Sequence, residues 1–281
     1  MVFSDAHIHT NPVKGLGAKE VSKRLKELGF WFIAIVPLTP YHYNLKPIYE
    51  DLVKMVDLVI NECKVANEIG IKAVCLAGIH PSCIDALINK YRDPEMAYQV
   101  AVKVLDYIKG KLRNQEIIGI GEVGRQHYPV NSINVVVSEM IMELALEIAR
   151  DYDAIVHLHL ERGGEFTVND IVKRARRIGI KRENVVIHHA DTQIANASRL
   201  QGLNYTVMGR AELIRNLNIE TRREMLVESD YLDDPNRRCV AMCPWDIPKN
   251  IQVLKEQGYL DDNLLHKIFI DNICRVYNVE Y

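Results

Sequence analysis

Asp5, His7 and His9 alternate along Asp5-Ala6-His7-Ile8-His9, directly after the apolar pair Val2-Phe3. In an extended strand alternate side chains share a face, so the two imidazoles point the same way with Asp5 beneath them. Two residues of strand rise separate the rings by about 6–7 Å, close enough to converge on one divalent cation. Neutral imidazole is the commonest metal ligand, and Asp5 is placed to orient one ring from behind. A His-x-His pair alone also fits a structural or surface pair. Its weight comes from what recurs downstream.

Polar, metal-competent residues recur at the ends of apolar runs. His80 follows Ile79 in Gly78-Ile79-His80-Pro81, and Glu122 closes Gly119-Ile120-Gly121-Glu122. His157 and His159 end Ile155-Val156-His157-Leu158-His159, His188 and His189 end Val186-Ile187-His188-His189, and Glu228-Ser229-Asp230 ends a further run. The pattern leaves two choices open. His159 is preferred over His157 because it lies nearer the strand end, with His157 filling a layer or standing behind a ligand. His188 is preferred over His189 because neighbours on a strand face opposite sides. Asp230, last in its run, is preferred over Glu228.

The elements that must position these residues alternate in type. Short β-branched runs at Val2–Ala6, Trp31–Leu38, Ala73–Ile79, Ile117–Glu122, Ala154–His159, Val185–His189, Tyr205–Met208 and Met225–Asp230 read as strands. Between them, helical periodicity marks Lys19–Leu28, Pro47–Ile69 with proline in its first turn, Glu95–Leu112, Val135–Ala149, Asn169–Ile178, Thr192–Leu200, a short Glu212–Asn218 and Leu264–Tyr277. Eight strands alternating with helices predict right-handed βαβ units closed into one (β/α)8 TIM barrel. The 281 residues suit a single domain over 1–281, near the ~250 residues usual for that fold. Barrel enzymes build their sites at the C-terminal ends of the strands, which is where this set falls.

Composition narrows the function classes. With 48% hydrophobic and 26% charged residues and a net charge of −2, the chain has no general basic field for nucleic acid, so any phosphate recognition must be local. Asp5 and His7 interrupt any apolar leader, and no run of about 18 apolar residues exists. The expectation is a cytoplasmic protein, without a membrane partner, whose six cysteines are reduced. Cys239-x3-Cys243 lacks the second pair a structural zinc site requires.

Taken in order, these motifs resemble the TatD-related metal-dependent hydrolases of the amidohydrolase superfamily, over essentially the whole chain. Asp5-Ala6-His7-Ile8-His9 is similar to that family's first-strand D-x-H-x-H, Gly78-Ile79-His80-Pro81 to its G-x-H-P, Gly121-Glu122-Val123-Gly124 to its G-E-[IV]-G, and Glu228-Ser229-Asp230 to its E-T-D. The runs Gly124-Arg125-Gln126-His127-Tyr128-Pro129 and Tyr231-Leu232-Asp233-Asp234-Pro235 with Arg237-Arg238 resemble the archaeal branch. The resemblance implies two divalent metal ions (zinc, manganese or magnesium). His7, His9 and Asp230 would hold one, His159 and His188 the other, and Glu122 would bridge them. It further implies a metal-activated water, Asp230 as proton acceptor, and His80 at the mouth stabilising an oxyanion or phosphate.

Three departures fall in the substrate shell. Arg125 stands where the bacterial type has leucine, Glu161 where it has arginine, and His189-Ala190 where it has Cys-Phe. They leave the metal chemistry intact and bear on the DNA-end trimming for which the family is known. The favoured reading is a phosphodiesterase or deoxyribonuclease-like hydrolase acting on a small molecule or a nucleic-acid end. Arg125, Arg237, Arg238 and Lys249 would form a local phosphate clamp. The alternatives are an amidohydrolase or lactonase acting on a small C–N or ester substrate, and a non-catalytic metal-binding barrel. Glu122, rather than a lysine, on the fourth strand argues against the phosphotriesterase-like branch.

Overall fold

The computed structural model describes residues 1–281. Eight parallel strands pair in sequence order: β1 (Phe3–His9), β2 (Phe30–Ile35), β3 (Lys72–Ala77), β4 (Gly119–Gly124), β5 (Ile155–His159), β6 (Val185–Ile187), β7 (Asn204–Met208) and β8 (Leu226–Glu228). A two-residue β9 (Tyr231–Leu232) lies on the free side of β1, with Ile8 opposite Tyr231 and His9 opposite Leu232. β8 and β9 are one path broken at Ser229-Asp230, where Asp230 adopts a left-handed backbone (φ 49°). The Ser229 N–H donates to Asp5 Oδ1 (2.9 Å) and the Asp230 N–H to the His7 carbonyl (3.0 Å). These bonds join the last strand to the first, so the (β/α)8 barrel expected from the alternation is the fold observed.

Two apolar layers hold it. The larger lies between sheet and helices, and includes Ile33, Ile35, Leu52 and Val56. The smaller fills the barrel below its mouth, with Phe32, Ala34 and Val36 from the other face of β2, Val74 and Leu76 of β3, and Tyr277 of the C-terminal helix. From Phe32 to Val36, alternation with period two assigns successive residues to one layer and then the other.

Several boundaries differ from expectation for local reasons. β6 ends at Ile187 and β8 at Glu228, so His188, His189 and Asp230 sit on loop backbone. The helix expected from Pro47 begins at Tyr49 with Ile48 at its cap, because Pro47 constrains the residue beside it but does not nucleate. Helices at Pro81–Tyr91, Ile219–Glu224 and Ile247–Glu256 were not expected. Leu264–Tyr277 belongs to a longer run that opens at Asp262 and passes through a π-turn at Lys267–Asp271. Cys239 and Cys243, expected reduced, are paired as a disulfide across a Cα separation of 4.6 Å, a span that suits the bond. Cys63, Cys75 and Cys83 are free and buried. No helix is long and apolar enough to cross a membrane.

Candidate metal centre

The motif glycines are explained by how closely the strand ends approach. A Cβ on Gly124, at φ +147°, would collide with the His159 carbonyl oxygen, and one on Gly78 would lie 2.5 Å from the Glu122 carbonyl oxygen. Only glycine allows β3, β4 and β5 to crowd together here, and that crowding brings Glu122 and His159 into contact.

Glu122 is the hub. Its Oε1 lies 3.2 Å from His7 Nε2 and 3.3 Å from His9 Nε2, and His9 Nε2 is 3.4 Å from Asp230 Oδ1. Its Oε2 lies 2.9 Å from His159 Nδ1 and 2.8 Å from His188 Nε2, which are 2.9 Å from each other. Adjacent ligands about 2.0–2.1 Å from one ion are separated by roughly 2.9 Å in octahedral and 3.3 Å in tetrahedral coordination. Both clusters fall in that range.

Hydrogen-bond partners assign the protons on the rings. His9 Nδ1 is 3.0 Å from the Val36 carbonyl, which only accepts, so Nδ1 carries the hydrogen and Nε2 a lone pair. A longer chain fixes His7. The Tyr277 hydroxyl donates its one hydrogen to the Ala6 carbonyl (2.7 Å), so it can only accept from His157 Nε2 (3.1 Å). His157 Nδ1 is then a lone pair and accepts from His7 Nδ1 at 2.9 Å, leaving a lone pair on His7 Nε2. Two nitrogen lone pairs thus face carboxylate oxygens, acceptor against acceptor. A cation between them satisfies all four atoms, so the donor set fits a divalent metal.

Titration shows the same demand for positive charge, which protons meet when no cation does. Burial, and then His188, hold the His7 imidazole below its ordinary value. Burial opposes charge on His9 and His188, but Asp230 for the first and Glu122 for the second push both above the usual imidazole range. Burial would raise Glu122 and Asp230. The surrounding imidazoles, His188 and His7 for Glu122 and the bonded His9 for Asp230, overcome it and hold both carboxyls well below the usual range. The pocket concentrates negative charge and calls for positive charge in return.

His80 behaves differently. It caps the helix Pro81–Tyr91, and its Nδ1 accepts the Ser82 N–H at 3.0 Å. Nε2 therefore carries the hydrogen, 3.8 Å from Glu122 Oε2. That is a donor directed at the site. Burial and the neighbouring His159 lower its pKa to about 3, so it is a neutral donor at neutral pH.

A cavity of about 560 Å³ opens over this centre, lined by His9, Glu122, His159, Asp230, His80 and Arg237 among others. Of the three arginines expected near substrate, the exposed Arg237 lines it. Arg238 is exposed and outside the lining. Arg125 turns away to Glu161, Glu139 and Asp170.

Neighbouring groups came without a clear sequence signal. His189, expected to face away from His188, also turns toward the site, because its left-handed backbone (φ 44°) follows the end of β6 and re-aims the side chain. It lies 4.8 Å, ring to ring, from His159, and both its nitrogens lack partners. His127 and His42 also line the cavity from loops. Only the G-E-V-G-R-Q-H run gave any hint of the former. Tyr277 carried no signal at all.

The profile described as TatD related DNase matches residues 4–278. Protein MJ1127 of Methanocaldococcus jannaschii is 29% identical over 278 residues, covering 99% of this chain and 96% of that one. The TatD homologue YjjV of Escherichia coli superposes with a TM-score of 0.68 at 18% identity, covering 99% of this chain and 98% of its own. The TatD-like protein from Archaeoglobus fulgidus does so with a TM-score of 0.67 at 17% identity, over 99% and 100%. With a family match over nearly its full length and a buried His/Glu/Asp cluster able to hold metal, the chain belongs to the TatD family of hydrolases.

Proposed function

We propose that the chain is a two-metal phosphodiesterase that acts on nucleic-acid ends or small phosphodiesters. The observation that carries this reading is Glu122, whose two oxygens each face a different ligand pair, His7 with His9 and His159 with His188. His7, His9 and Asp230 would hold one ion and His159 and His188 the other, with Glu122 shared between them. A pair of divalent ions, when bound, acidifies water and offsets charge on a phosphate. The histidine-rich donor set favours zinc or manganese over magnesium. Asp230 takes the proton of the attacking water. His80 donates its Nε2–H to a phosphate oxygen, and Arg237 holds the phosphate at the rim with Arg238 beyond it. Arg125 serves the fold in this reading rather than the substrate.

The test is elemental analysis of purified protein together with turnover of bis-p-nitrophenyl phosphate and of DNA with free ends. Close to two ions per chain, chelator-sensitive turnover and loss of about one ion in the His7→Ala, His9→Ala variant are expected. Unchanged stoichiometry in that variant overturns the ligand assignment. Turnover confined to amides, lactones or carboxylic esters makes the protein an amidohydrolase or lactonase, and metal binding with no turnover makes it a binding barrel.

A further inference from the structure

His42 lies on a short 3-10 turn, Pro40–Tyr43, that follows β2 and ends at Asn44 in the left-handed conformation (φ 59°). Its backbone is fixed by Asn11 Nδ2, which donates to the His42 carbonyl at 3.0 Å. Its ring is fixed by Asp234, whose Oδ2 lies 2.7 Å from Nδ1. The Asp234 carboxylate is itself held through Oδ1 by the Asn236 N–H at 2.8 Å. A carboxylate only accepts, so His42 Nδ1 carries a hydrogen and Nε2 is the nitrogen left for chemistry. Nε2 has no protein partner, and His42 lines the same cavity as His9, Glu122 and Asp230.

A carboxylate that fixes one ring nitrogen while the other opens on a reaction cavity is the arrangement of an acid–base imidazole. Asp230 is already committed to the attacking water in the reading above, and His80 is held as a neutral donor by Ser82. Neither supplies a proton to the departing oxygen. We propose that His42 is the general acid of this site, protonating the leaving-group oxygen, with Asp234 as its positioning residue; this rests on the phosphodiesterase reading.

The step balances as follows. Water adds its oxygen to phosphorus and gives a proton to Asp230. The phosphorus–oxygen bond to the leaving group breaks with its electron pair on oxygen, and the Nε2 proton of the His42 imidazolium moves to that oxygen, releasing an alcohol. His42 regains a proton from solvent and Asp230 returns one to it. Nothing is oxidised or reduced. Burial, with His9 and Arg237 on facing segments, holds the free ring below its ordinary value against the attraction of Asp234. An anionic phosphodiester entering the cavity tips that balance toward the charged ring.

The experiment compares two substrates on the metal-loaded enzyme. One is bis-p-nitrophenyl phosphate, whose leaving group departs without a proton, and the other is a dinucleoside phosphate, whose alkoxide needs one. His42→Gln is expected to lower kcat on the dinucleoside phosphate by ~100-fold or more, the usual scale of general-acid loss. Activity on the p-nitrophenyl ester stays within about threefold of wild type and the metal content is unchanged. Asp234→Asn gives a smaller loss of the same selectivity. Added imidazole restores dinucleoside cleavage in His42→Gly. Equal losses on both substrates, or no loss on the dinucleoside, overturn the role of His42 alone. Wild-type enzyme inert on both overturns the phosphodiesterase reading and this proposal together.

Discussion

Arg125 and Glu161 meet as two parallel hydrogen bonds, Nε to Oε2 and Nη2 to Oε1, each 2.8 Å. The remaining Nη1 reaches Asp170 at 2.5 Å and Glu139 at 3.2 Å. Two of the departures from the bacterial pattern are therefore one feature, a cation and an anion that satisfy each other between the ends of β4 and β5. Arg125 is only 8% exposed, while its carboxylate partners are nearer solvent.

Arg125→Met is accordingly expected to destabilise the fold by about 1–3 kcal/mol, below the full penalty of a buried broken pair because solvent screens the acids left behind. Chemical denaturation measures the loss. KM for bis-p-nitrophenyl phosphate should stay within about threefold, and a larger rise would return Arg125 to the substrate clamp.

The relay from Ala6 through Tyr277 and His157 to His7 makes a remote hydroxyl responsible for a ring proton. Tyr277→Phe removes the acceptor for His157 Nε2–H, so His157 is free to adopt the tautomer that competes with His7 Nδ1–H. A loss of 10–100-fold in affinity for one of the two ions is expected, the usual scale for groups behind a metal ligand. Competition with a chromophoric chelator reads it. Unchanged affinity for both ions would show that His7 keeps its tautomer unaided.

Asp230→Asn keeps the side-chain shape and suits the left-handed backbone, which asparagine tolerates well. An amide takes no proton near neutral pH. We expect kcat to fall by at least ~100-fold, or about 2.7 kcal/mol, with metal content near wild type. A variant within about threefold of wild type at full metal occupancy would assign the proton to another group.

Glu62 supplies a pH test away from the centre. It is 3% exposed and accepts the Ala18 N–H at 2.5 Å, and burial pushes its carboxyl above the ordinary value. The native state thus holds a proton that the unfolded chain has released. Its contribution is complete below the unfolded pKa and is lost as pH rises through the folded one. Glu62→Gln should therefore gain stability relative to wild type as pH rises above the unfolded carboxyl value of about 4.3, read from urea midpoints. A difference independent of pH would show that the carboxyl titrates normally.

The clustered His, Glu and Asp residues were legible in sequence as a candidate site because polar residues inside apolar runs are costly, and these fall where barrel strands end. His7, His9, Glu122 and His159 lie within strands, so period-two reasoning reaches them. It fails at His188-His189, because β6 stops one residue earlier and the backbone turns left-handed. Asp230 was reached as the last polar residue of its run, although it too lies beyond its strand. The Tyr277 relay and the His42–Asp234 pair join residues 120 and 192 positions apart, and no local pattern encodes such contacts. Arg125 was legible as a charge but its partners were not, since sequence gives sign without direction.

The seam between the two ends of the chain has a consequence for how the protein is made. Asp233 accepts the N–H groups of Asn11, Leu16 and Gly17, as many as 222 residues away, and Asp230 bonds back to β1. Synthesis delivers His7 and His9 first and these aspartates nearly last, at ~5–20 residues per second. For more than ten seconds a nascent chain exposes two imidazoles without the carboxylate that completes their cluster, and stray ions meet only a weak, incomplete site. If the proposed ligands hold metal, tight capture is thereby tied to the closing of the barrel, and a firmly held ion would report that the last strand has docked on the first.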